Sequence, residues 1–133
     1  MKKGTSVFVA VLLLLVCAGL TGCGKYTSHY SAVGFVHSNV SDAADMSFFQ
    51  FEGTMVFRLK CGTGDRLHCS GTVETGSVAV KYDCGNGEQP LAAFASGEQL
   101  EHSQPLVSAG TVWVIVETDG KCKNGSLAFS IET

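Results

Sequence analysis

Met55-Val56-Phe57-Arg58-Leu59-Lys60-Cys61 alternates apolar residues at the odd positions with two cations at the even ones. Successive side chains of an extended strand point to opposite faces, so this period of two predicts a half-buried β-strand. Ser77-Val78-Ala79-Val80-Lys81-Tyr82-Asp83-Cys84 repeats the pattern with its even positions inward. Ser126-Leu127-Ala128-Phe129-Ser130-Ile131-Glu132 does so with Leu127, Phe129 and Ile131 inward. Thr111-Val112-Trp113-Val114-Ile115-Val116 is apolar on both parities, as expected of a central strand covered on both faces. Residues 46–51, 67–74 and 91–95 are weaker strand candidates.

Gly and Asn punctuate these runs. Thr75-Gly76 reads as a tight hairpin turn, and Asn86-Gly87, Asp119-Gly120 and Asn124-Gly125 read as turn dipeptides in which Gly supplies positive φ. No window carries a capped apolar stripe of helical period. About seven strands at short spacing predict an all-β fold, a small antiparallel sandwich of jelly-roll-like type. The 133 residues allow a single domain, and 9 Lys+Arg against 12 Asp+Glu leave no basic stripe for nucleic acid.

The N-terminus reads differently. Lys2 and Lys3 precede residues 7–20, an uncharged run that as a helix spans roughly 21 Å, short of a ~30 Å hydrocarbon core. Those are the proportions of a signal peptide. It ends in Leu20-Thr21-Gly22-Cys23, which resembles the lipobox of bacterial lipoproteins. The resemblance implies that the Cys23 thiol carries a diacylglyceryl group and that the chain is cut after Gly22. Two acyl chains, at ~0.8 kcal/mol per buried methylene, anchor a protein stably. The expected organisation is a signal peptide over 1–22, a lipidated N-terminus and tether over 23–44, rich in Ser, Ala, Gly and Asn, and a sandwich over 45–133. The mature chain has seven basic and twelve acidic side chains. Its expected address is the extracytoplasmic face of the cell membrane.

Gly53-Thr54-Met55-Val56-Phe57, Ala109-Gly110-Thr111-Val112-Trp113 and Gly125 through Phe129 together resemble bacterial prepeptidase C-terminal domains and related CUB-like jelly-roll modules, and also small lipoproteins of anaerobic bacteria. The shared features are turn glycines and core aromatics. They imply a two-sheet sandwich at a cell surface rather than an activity.

Four cysteines remain beyond Cys17 and Cys23: Cys61, Cys69, Cys84 and Cys122. An even number in a small exported domain reads as two disulfides. Cys84 and Cys122 both precede Gly-rich turns, which favours Cys84–Cys122 with Cys61–Cys69; Cys61–Cys84 is the rival pairing, and reduced thiols a third outcome. The Cys61 to Cys69 spacing does not suit a zinc knuckle, and His68 falls on the opposite strand face from Cys69. No metal or other cofactor is expected.

Catalytic motifs are missing: no Gly-x-Ser-x-Gly elbow and no His-Glu-x-x-His. Glu101, His102 and Ser103 are adjacent, whereas a triad converges from separate segments. Trp113 fits either the core or a carbohydrate-stacking platform. Phe48 and Phe49 cannot both face one core, so one of them is a candidate partner contact. The expected function is a non-enzymatic, lipid-anchored binding module for an envelope protein or glycan, with a structural envelope component or a small hydrolase or inhibitor as alternatives.

Overall fold

The structure is a computed structural model that describes residues 26–133; the signal peptide and Cys23 lie outside the described residues. Seven strands form one antiparallel system: β1 (His29–Val33), β2 (Val36–Asn39), β3 (Ala43–Cys61), β4 (Arg66–Asp83), β5 (Gln89–Phe94), β6 (Gln99–Pro105) and β7 (Gly110–Glu132). The order is β1-β3-β7-β4-β5, with β2 also on β3 and β6 also on β4. Three of these strands are far longer than an ordinary strand of five or six residues. Each of the three runs through a bend and serves both layers of a sandwich.

The bends can be read from the register. β3 pairs with β7 at Phe51↔Cys122 and resumes at Thr54↔Glu117, so two residues of β3 face four of β7. β4 pairs with β7 at Thr75↔Lys123 and resumes at Ser77↔Asp119. One layer is built from the first halves of β3 and β4, the second half of β7, β2 and β6. The other holds the second halves of β3 and β4, the first half of β7, and β5. Their inner faces form one core, in which Phe57 of one layer meets Phe129 of the other with ring centroids 5.8 Å apart.

Glycine occupies both bends. Gly53 has φ 129° and Gly76 has φ 103°, backbone that a side chain makes costly. Crowding adds to this: a Cβ on Gly53 would lie 2.5 Å from the His29 carbonyl oxygen, and one on Gly76 2.7 Å from Cys122 Sγ. Each bend leaves peptide groups turned away from the ladder, and a neighbouring hydroxyl serves both. Thr118 Oγ1 accepts from Gly53 N at 2.9 Å and donates to Gly53 O. Ser96 Oγ accepts from Gly76 N at 2.9 Å and donates to Gly76 O at 3.2 Å.

Several expectations are corrected here. Thr75-Gly76 is a bulge inside β4 and not a hairpin turn, and Asp119-Gly120 and Asn124-Gly125 lie inside β7. Gly with positive φ suits a bulge as well as a turn. The segment expected as tether carries β1 and β2, because the edge of β3 needs cover. Beyond Thr54 that edge is satisfied piecewise: Val56 N donates to Ser28 Oγ, Arg58 N to Asn39 Oδ1 and Lys60 N to the Ser41 carbonyl, while Asn39 Nδ2 donates to the Arg58 carbonyl. The Ser and Asn content that suggested a flexible linker supplies these bonds.

Gly53→Ala and Gly76→Ala should each lower unfolding stability by at least about 3 kcal/mol in urea titrations. Gly64→Ala, with φ 89° but open space around the new Cβ, should cost only about 1–2 kcal/mol.

Candidate functional site

Two outer faces and one groove carry the chemistry. On the outer face of the layer containing β5, Trp113 is half-buried rather than in the core. Arg58 lies over its ring at 5.5 Å, and Tyr26 packs against it with ring centroids 5.5 Å apart. The neighbouring Ile115 is buried on the same face, which explains why this stretch of β7 is apolar on both parities. The cover comes from side chains, and the described residues form no third layer.

Asp83, at the end of β4, is fully buried. Its carboxylate accepts from Tyr26 Oη at 2.6 Å and from the amides of Gly85 and Gly87 at 2.8 and 3.2 Å. Bonds to a buried carboxylate are charge-assisted and strong. Burial and the bond to Asp83 together hold the Tyr26 phenol well above its usual pKa. The chain is thereby fastened to the domain from Tyr26 onward.

Toward the bend the same face opens into a groove of about 470 Å³. Ala79 of β4 stands beside Ala93 of β5 and Glu117 of β7, and these small side chains leave the space. Ala95 extends the apolar floor, while Ser77, Glu98, Glu117 and Asp119 line it with hydroxyl and carboxylate groups. Lys81 Nζ sits 3.0 Å from Glu117 Oε1 and 3.6 Å from Glu88 Oε1; the bond to Glu117 raises the lysine pKa. Glu98 Oε1 accepts from Ala95 N and shapes the turn after β5.

On the outer face of the other layer, His68 Nδ1 is 2.9 Å from Ser103 Oγ, and Nε2 is 3.2 Å from Glu101 Oε2, with Glu132 at 3.8 Å from Nδ1. Ser103 and Glu101 are thus joined by His68 of β4, not by the adjacent His102. Only the β4–β6 register, His68↔Ser103, brings them together. With Glu132, the four side chains clasp β4, β6 and β7 on an outward strand face, without the turn that exposes a nucleophile in hydrolase elbows.

Of the residues singled out in sequence, Cys23 lies outside the described residues. Cys61, Cys69, Cys84 and Cys122 are free thiols, contrary to the expected disulfides. Cys122 sits at the bend, its thiol donating to the Ser77 carbonyl at 3.3 Å, whereas Cys84 follows β4 at the far end. Eight residues of strand, about 26 Å, separate Cys84 from the Gly76 bend, so Cys84 and Cys122 cannot pair. Cys61 and Cys69 fall in different layers. Burial pushes the Cys69 thiol up to about 12, an unreactive core position. Among the described residues no three His, Cys, Asp or Glu side chains converge as metal ligands. Phe48 is buried against Phe51, with its ring over Gly125, and is not a contact residue; Phe49 is the exposed one, near exposed Val33 and Val36.

No family model and no curated protein matches the chain. Solved structures similar to it include the periplasmic inhibitor of g-type lysozyme PliG from Aeromonas hydrophila, at 15% identity over 69% of this chain and 88% of that one, with TM-score 0.48. TmCBM61, solved with beta-1,4-galactotriose, is 15% identical over 79% of this chain and 83% of that one, with TM-score 0.43. The carbohydrate-binding module CBM6cm-2 from Cellvibrio mixtus lichenase 5A, solved with cellotriose, is 12% identical over 77% and 89%, also with TM-score 0.43. With identities this low and TM-scores below 0.5, none of them bears on what this chain binds.

The Tyr26–Asp83 bond makes a signed prediction. Because the folded pKa of Tyr26 lies above its unfolded value near 10, the bond's stabilisation is complete below that pH and is lost as pH rises past it. Tyr26→Phe should cost about 1–2 kcal/mol at pH 7. Urea titrations should show the gap from wild type shrinking above pH 10; a gap independent of pH contradicts the assignment.

Proposed function

We propose that the chain is a lipid-anchored, extracytoplasmic binding module without catalytic activity, and that its groove takes a neutral glycan. The lipobox-like Leu20-Thr21-Gly22-Cys23 supports the anchor and the address. The make-up of the groove carries the ligand reading. Its volume falls within the range of about 300–1,000 Å³ typical of small-molecule sites. A floor of alanine methyls suits the C–H face of a sugar ring, and carboxylates accept hydrogen bonds from its hydroxyls. The carboxylates of Glu98, Glu117 and Asp119 line the groove and disfavour an anionic ligand.

The clasp of His68 with Glu101, Ser103 and Glu132 belongs to the fold in this reading and holds three strands together. A second reading, docking of an envelope protein, is favoured by the exposed Val33, Val36 and Phe49 at 54%, 67% and 53% exposure.

Calorimetric titration of the soluble domain with a panel of neutral oligosaccharides tests the glycan reading. Binding of at least one is expected, abolished by Ala93→Trp, which fills the groove from an exposed strand position, and weakened about 5–10-fold by Asp119→Ala. If Ala93→Trp binds as wild type does, the groove is not the site. If no oligosaccharide binds and Phe49→Ala instead abolishes capture of an envelope protein, the second reading replaces the first.

A further inference from the structure

The first described residue is already docked. Tyr26 is bonded to Asp83 and packed on Trp113, and Ser28 is bonded to the edge of β3 at Val56. From Ser28 back to Tyr26 the chain runs away from the bend, toward the open end of the folded sheet where the loops connect the layers. Only three residue steps separate Tyr26 from Cys23, a reach of about 11 Å even at full extension. A flexible linker of 20 residues, by contrast, would span about 25 Å and leave the domain free to tumble.

Accepting the lipid anchor on Cys23 proposed above, we infer that the open end of the sandwich, at Trp113, Arg58 and Lys60, is held against the bilayer that carries the chain's own lipid. The covalent reach leaves that end no room to turn away. Its chemistry suits the lipid headgroup layer. Exposed Arg58 and Lys60 offer donors to phosphate, and an indole ring is at home at the interface. Val40 and Val107 are 59% and 69% exposed at the same end. Asp65 and Glu88 also lie there, so the short reach, more than net charge, sets the orientation. The groove sits about four strand residues, or ~13 Å, further along β7 toward the bend. The bend and the groove are therefore presented outward while the open end rests on the membrane.

Trp113 is the sole tryptophan and serves as a built-in probe. The full-length protein, purified with its lipid and reconstituted in phosphatidylcholine vesicles bearing a headgroup spin label, should show strong quenching of Trp113 emission. A reporter at the exposed bend (Trp113→Phe with Lys121→Trp) should be quenched at least threefold less. Inserting twenty Gly and Ser residues between Cys23 and Tyr26 should bring Trp113 quenching down to the level of the bend reporter without changing the fold. If intact mass confirms the lipid and Trp113 is quenched no more than the bend reporter, or quenching survives the insertion undiminished, the orientation is wrong while the anchor stands. If the N-terminal peptide carries no diacylglyceryl group, the anchor and the orientation fall together.

Discussion

Everything in this fold depends on two bent residues, Gly53 and Gly76, each bonded at both its N–H and its C=O by one hydroxyl. A sheet with strands of 18 to 23 residues has no core of its own; it becomes a sandwich only by folding onto itself. Folding a sheet turns backbone groups out of their ladders, and buried groups left without partners are costly. Thr118 removes that cost at the part-buried Gly53, and Ser96 supplies the same pair of bonds at the more exposed Gly76. β7 absorbs the geometric difference by carrying extra residues around the bend, so that the register closes again on both sides.

The bends also distribute the chemistry. They bring Phe57 onto Phe129 to form the core, and they leave two outward faces with different characters. One is a plane of small polar residues clasped by His68. The other carries Trp113 and Asp83 at the open end and the alanine-floored groove toward the bend. The segment over residues 28–41 lies along the β3 edge, supplying side-chain and main-chain partners where the described residues hold no eighth strand. This covers an edge that would otherwise invite pairing with another chain, and it leaves little free chain between the domain and Cys23.

The alternation at residues 55–61, 77–84 and 126–131 was readable, because period two survives any arrangement of the strands. What the pattern cannot show is where a strand ends. Gly76, Gly120 and Gly125 look the same in a turn as in a bulge, so the pattern predicts turns where the strands run on. The Cys84–Cys122 pairing fails with them: the two share one end only if Asn124-Gly125 is a turn. Phe48 and Phe51 differ in parity yet both are buried, Phe51 beneath the rings of Tyr30 and Phe35, and strict parity does not anticipate that cover. The contacts of His68 with Ser103 and Glu101 depend on pairing between segments more than thirty residues apart, and local sequence carries no trace of that register. Asn39 and Ser28 looked like linker residues, since side chains that complete a strand edge are the same ones that populate flexible loops.

Amide hydrogen exchange followed by NMR is the most direct test that one bent sheet, with its bends bonded to hydroxyls, makes this molecule. The Gly53 and Gly76 amides should be protected to within about tenfold of Val114 in the middle of β7, and Thr118→Val should selectively expose Gly53. Exchange of both glycine amides at the rate of the exposed Gly64 turn would mean that the long strands are separate hairpins, and the folded-sheet account would be wrong.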